Sequence, residues 1–207
     1  MTNEEAAKYI QTYYMKTNVY YHIWAPADTD MWKLMVDEQI KRLYRSGLPE
    51  VATVKCAING PQASRIAEFV SLYDWINILG VRDSDEEYEG FTLKHLYEDC
   101  VNERATKVMY FHTKGISHMC GTRDHYSDRK VRAINSWRHL MEWGCIDKWK
   151  ENLDKLDEHQ VSGVNYCLDP WPHMSGNFWW ARADYIATLQ HPTKDAFVRE
   201  KEDFGPI

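Results

Sequence analysis

The chain has no apolar run approaching the ~18 residues that a membrane-spanning helix requires. No secretory or transit leader is expected, because the opening MTNEEAAKYI is polar and acidic. Its five cysteines, Cys56, Cys100, Cys120, Cys145 and Cys167, are odd in number, widely spread and without a CxxC pair. That spacing argues against both a disulfide framework and a zinc site, and it suits a reduced compartment. A soluble, cytoplasmic protein without a membrane span is therefore expected. Basic residues are not in excess, with 25 Lys and Arg against 31 Asp and Glu for a formal net charge of −6. A nucleic-acid partner is not expected from such a balance. There are no internal repeats or low-complexity tracts, and no glycine-rich phosphate loop follows the first expected strand, so a dinucleotide fingerprint and a P-loop are both absent.

What the chain does have is aromatic residues, with nine Trp and thirteen Tyr in 207 residues. Their apolar faces and polar edges suit stacking on sugars, bases or partner surfaces, and equally a Trp-rich core. The length is enough for one domain with a sizeable core.

Strand and helix patterns alternate through the first half. Val19 to Trp24 reads as a strand, closed by Ala25-Pro26-Ala27-Asp28. Asp28 or Thr29 is the expected cap of a helix from Met31 to Tyr44, ended by Gly47 and Pro49. Val51 to Ile58 is a second strand, Gln62 to Tyr73 a helix and Trp75 to Val81 a third strand, followed by an acidic loop from Arg82. Thr92 is placed to cap a helix through Leu93 and Val101, and Val108 to Phe111 is a fourth strand. Such alternation predicts a mostly parallel central sheet with right-handed crossovers and flanking helices. The strand ends should share one edge.

The second half differs. His118 to Lys130 has the composition of a mobile loop over a site, and helices are expected from Val131 to Trp143 and from Ile146 to Leu156. A short strand, Val161 to Leu168, precedes a proline-bounded loop at residues 169–175. The charged tail from His191 carries no stop signal, which reads as the first domain of a longer chain.

Four constellations carry chemistry. His112, Thr113, Lys114 and Gly115 follow a buried run directly. A lysine and a hydroxyl there suit a diphosphate, and His112 suits a divalent metal or a phosphate. Asp83 and Asp85, one residue apart, can share a hard cation, or simply belong to a solvated acidic loop with Glu86, Glu87 and Glu89. Gly176 to Tyr185 places Asn177 and Arg182 around Phe178, Trp179 and Trp180, a composition fit for a sugar. Alternation allows Phe178 and Trp180 to face a core and Trp179 the other side. His173 beside Asp169 suits a metal shell or proton transfer, though a lone loop histidine is commonly neither.

Taken together, Tyr110 to Gly115, the Trp137-Arg138 pair and Gly176 to Trp180 resemble nucleotide-sugar glycosyltransferases of the GT-A type, a group that includes viral enzymes building capsid glycans. The resemblance runs from the first strand to about His191. It implies one Rossmann-like GT-A domain over residues 1–207, with a nucleotide-binding half at 1–115 and an acceptor half at 116–207. It implies a UDP-sugar donor of glucose or rhamnose type, a glycan or glycoprotein acceptor and Mn²⁺ or Mg²⁺. A viral member would work in the host cytoplasm. By that likeness the nucleotide and diphosphate lie on Trp24, Ala25, Asp28, Asp83, His112, Thr113 and Lys114, and the sugar or acceptor lies on Asn177, Trp179 and Trp180. Metal ligands would be drawn from Asp83, Asp85 and His112. Lys114 would stabilise the departing UDP, and Asp169 would serve as acceptor base. The family commonly carries Asp-x-Asp at the end of the fourth strand, where this chain has His112-Thr113-Lys114. A non-catalytic carbohydrate- or nucleotide-binding domain is the first rival, and a metal-dependent phosphohydrolase using Asp83 and Asp85 the second.

Overall fold

The computed structural model describes residues 2, 16–27, 30–84, 86–119, 128–169 and 172–192. Residues 1–17, whose sequence has mild helical character, lie mostly outside them. So do Asp28, Asp85, most of the expected covering loop and the tail beyond residue 192.

A six-stranded sheet forms the middle layer. β1 (Thr17–Trp24), β2 (Thr53–Asn59), β3 (Ile76–Arg82) and β4 (Lys107–His112) run parallel in the spatial order β3-β2-β1-β4. β1 and β4 are buried along almost their whole length, as strands covered on both faces must be. Beyond β4 the sheet continues with β8 (Trp179–Arg182), antiparallel to both β4 and β5 (Val161–Gly163). The strand expected over Val161 to Leu168 is thus two strands. Asn165 takes a left-handed φ of 59°, and after it β6 (Tyr166–Cys167) pairs with β7 (His173–Met174) as a separate hairpin. β7 falls inside the expected irregular loop.

Helices cover both faces. α1 (Met31–Ser46) buries Trp32, Met35, Val36, Gln39, Ile40 and Leu43, one stripe at helical spacing. It stops at Gly47, whose φ of 72° is left-handed and whose N–H donates to Tyr44 O. α2 (Ala63–Val70) joins α1 on one core, with Val19, Tyr21, Ile23, Met109 and Phe111 from the strands. α3 (Gly90–Val101) covers the opposite face, over Tyr20, Val108 and Tyr110. Its first residue is Gly90, so Thr92 lies inside it and is not the expected cap.

After β4 come α4 (Ile116–Met119) and α5 (Asp128–Glu142), the latter running into a π-helical turn at Trp143–Asp147 and then α6 (Trp149–Lys155). α7 (Ala183–Ile186) closes the second face. Among the described residues no helix is long and apolar enough to cross a membrane.

Candidate functional site

The carboxyl ends of β1 and β4 lie side by side, with His22 in register with His112. Ligands in open α/β sheets bind beyond such ends. Although His112 and Thr113 are polar, they stay buried at 5% and 4% exposure. The Thr113 hydroxyl donates to Trp24 O at 2.8 Å and accepts from Trp24 N–H at 3.1 Å. That hydroxyl therefore clasps the two strand ends together. Lys114 projects further, its ammonium 5.0 Å from the Trp137 ring on α5, a cation–π distance. Gly115 allows the turn, since its φ is 84° and a Cβ would lie 2.5 Å from Ile134.

Glu89, the residue just before α3, organises this corner. Its Oε2 accepts from Tyr110 Oη at 3.0 Å and from Asn177 Nδ2 at 2.5 Å. Its Oε1 lies 3.2 Å from His112 Nδ1. His112 Nε2 donates to Gly176 O at 3.1 Å, so both ring nitrogens are engaged. Asn177 has a left-handed φ of 60°, and its Oδ1 accepts from Trp179 Nε1 at 2.8 Å. Tyr110 stacks on Trp179 with ring centroids 5.5 Å apart. His22 Nδ1 bonds Thr92 Oγ1 at 2.8 Å, which is what Thr92 does in place of capping. Two buried polar atoms here, His22 Nε2 and Asn59 Oδ1, have no partner. Tyr88 packs edge-on against both His22 and Trp24, with centroids 5.7 Å away in each case.

The electrostatics follow from burial. Desolvation pushes His22 down to about 3, against the opposing pull of Glu89. Burial also lowers His112, with Glu89 pulling the other way. For Glu89 burial raises the carboxyl, but His112, His22, Asn177 and Tyr110 outweigh it and the net shift is downward. The corner is thus a carboxylate in a largely desolvated setting, with two imidazoles, a phenol and an amide gathered around it.

Glu89 was expected in a solvated acidic loop, and the structure corrects this. Glu87 pairs with Arg82 and Lys94, while the Glu89 side chain is 17% exposed and points inward. Its only sequence sign is its place between Tyr88 and Gly90. His22, Tyr110 and Thr92 were missed as well, since they read as strand and helix residues.

Asp83 and His112 are not brought together. Asp83 follows β3 and His112 ends β4, three strand spacings apart, roughly 14 Å. Asp83 instead accepts Ser64 N–H at 3.2 Å and Ser64 Oγ at 2.9 Å, capping the start of α2. The set Asp83, Asp85 and His112 therefore does not converge on a single ion, Asp85 lying outside the described residues. Trp180 is corrected too: it is fully buried, its indole donating to Cys145 O at 2.8 Å, so it belongs to the core. Trp179, on the other face of β8, is half-buried beside Asn177. Trp24 is half-buried at the β1 end, Ala25 is fully buried and Asp28 lies outside the described residues. Asp169 is exposed between β6 and β7. His173 lies in β7.

Glu38, His139 and Glu142 each place one ligand atom within 4.8 Å of the others. Arg138 already fills that cluster, donating to Glu142 Oε1 at 2.6 Å and Glu38 Oε2 at 3.0 Å, with His139 Nε2 2.8 Å away. Glu142 is fully buried and also takes Arg42 and Gln39, and Gln39 donates on to His112 O at 3.2 Å. This network ties α1 and α5 to the β4 end.

No curated protein and no solved structure matches the chain. Residues 20–204 match a family described as a domain of unknown function, DUF8361, and since the match takes in every strand after the first few residues of β1, the chain belongs to that family.

Proposed function

We propose that the chain is a glycosyltransferase of the GT-A type that moves a hexose, of glucose or rhamnose type, from a UDP-sugar to a glycan or glycoprotein acceptor. One observation carries the reading: the three stretches that bear the family resemblance meet in space. His112 reaches Gly176 O, and the Lys114 ammonium lies over Trp137. A Cβ at Gly176 would strike Met141 and approach Trp137 Cζ2 at 3.1 Å, so Gly176 is there for close approach. The meeting point is the carboxyl edge of the sheet, the side on which doubly wound sheets take ligands.

In this reading Lys114 leaves the Trp137 face to balance charge on the departing diphosphate, the electrostatic contribution that matters most in such a site. Trp179 offers the stacking face for sugar. Asp83 and His112, two of the expected metal ligands, stand three strand spacings apart, and Asp83 is engaged by Ser64.

Calorimetric titration of UDP, GDP and CMP, each with and without Mn²⁺, tests the nucleotide half. Tight binding of UDP alone supports the reading, and dependence on Mn²⁺ adds the cofactor. Lys114→Ala should then abolish transfer with the fold intact, and near-normal turnover sinks the assignment. UDP binding with neither transfer nor donor hydrolysis moves the chain to a non-catalytic binding domain.

A further inference from the structure

We infer that Glu89 is a positioning residue which, through Asn177, fixes the Trp179 indole as the surface that reads the donor sugar, a role that rests on the donor reading above.

The contacts form a closed ring. Glu89 Oε2 accepts from Asn177 Nδ2, Asn177 Oδ1 accepts from Trp179 Nε1, Trp179 stacks on Tyr110, and Tyr110 Oη returns to Glu89 Oε2. A carboxylate only accepts, so it admits one orientation of the Asn177 amide, nitrogen inward and oxygen toward the indole. Turning the amide over would set two acceptors against each other at Glu89 and two donors at Trp179. The carboxylate thus fixes the rotamer of an indole that it does not touch.

The backbone supports the same conclusion. Asn177 sits at a φ of 60°, directly after Gly176 at 91°. Asparagine tolerates the left-handed region better than most residues, but glycine is the default there. Here both ends of the side-chain amide are used. Asn177 is therefore a strut whose hydrogen-bonding groups face the protein, and the sugar-facing surface passes to the half-buried indole, whose flat apolar face suits sugar C–H groups.

Glu89 also touches the nucleotide end, with Oε1 near His112 Nδ1. The amide arm serves the other oxygen alone. Cutting it should lower the contribution of the sugar and spare that of the nucleotide.

The test uses Asn177→Gly, which keeps the backbone conformation and removes the strut, together with Glu89→Ala and Glu89→Gln. The indole N–H resonance of Trp179, assigned by its loss in Trp179→Phe, is recorded without ligand. Calorimetry then compares UDP with UDP-glucose. Asn177→Gly and Glu89→Ala are expected to shift or broaden that resonance alone among the indoles. UDP affinity should stay within twofold in Asn177→Gly, while the advantage of UDP-glucose over UDP falls at least tenfold. Glu89→Gln, which keeps one acceptor oxygen, should recover part of it. An unmoved Trp179 resonance overturns the inference, as does an equal loss of UDP and UDP-glucose. If the wild-type protein binds no UDP-sugar, the donor reading fails, and the resonance still decides whether Glu89 positions the indole.

Discussion

Acid should destabilise this fold through His22, by an amount the structure sets. His22 is 1% exposed, its Nδ1 is taken by Thr92 and its Nε2 has no partner. Burial pushes it from its ordinary 6.5 down to about 3. Because the folded value lies below the unfolded one, the unfolded chain takes the proton first as pH falls. Stability is therefore fully present above 6.5 and drains away between 6.5 and about 3. Each unit of separation is worth about 1.4 kcal/mol, so between pH 7 and 4.5 the loss due to His22 is about 2.5 kcal/mol. Urea denaturation of the wild type and His22→Gln at intervals over that range isolates it, because groups common to both cancel in the difference. The wild-type curve should fall more steeply, the gap changing by about 2.5 kcal/mol. Curves parallel to within ~0.5 kcal/mol, near the error of the extrapolation, would mean that His22 titrates as freely folded as unfolded. The burial argument would then be wrong.

Two other outcomes are expected. Glu142→Ala should cost about 3–5 kcal/mol in the same denaturation assay, because it leaves the buried Arg138 guanidinium without its closest carboxylate. Asp83→Ala should cost about 1 kcal/mol, the worth of a helix cap, and leave any Mn²⁺ dependence of UDP binding unchanged in calorimetry. Loss of that dependence would restore Asp83 as a metal ligand.

Local chemistry made several parts of the molecule legible. Val108 to Phe111 is a short run of β-branched, aromatic and apolar residues that reads as a covered strand, and the apolar stripe of α1 with Gly47 at its end reads as a helix with its stop. The alternation in Phe178, Trp179 and Trp180 offered the core placement that Phe178 and Trp180 take, against the sugar contact that the resemblance implied for Trp180. Other parts were ambiguous at short range. Asp83 in an acidic loop reads alike whether it binds a cation, faces water or caps a helix, and the choice was made by Ser64 on another element. Asn165 gave no sign that its left-handed turn divides one apparent strand into two.

The sequence alone therefore determined the alternation of strand and helix in the parallel half and the residues at its open edge, because periodicity and turn chemistry act over a few residues, while the spatial order of the strands came from the tertiary structure. The tertiary structure decided which of those residues form a site. Glu89 meets Asn177, 88 positions away, and His112 meets Gly176, 64 positions away. A carboxylate held between distant partners leaves no local pattern. Its environment exists only once β8 has folded back, antiparallel, against β4.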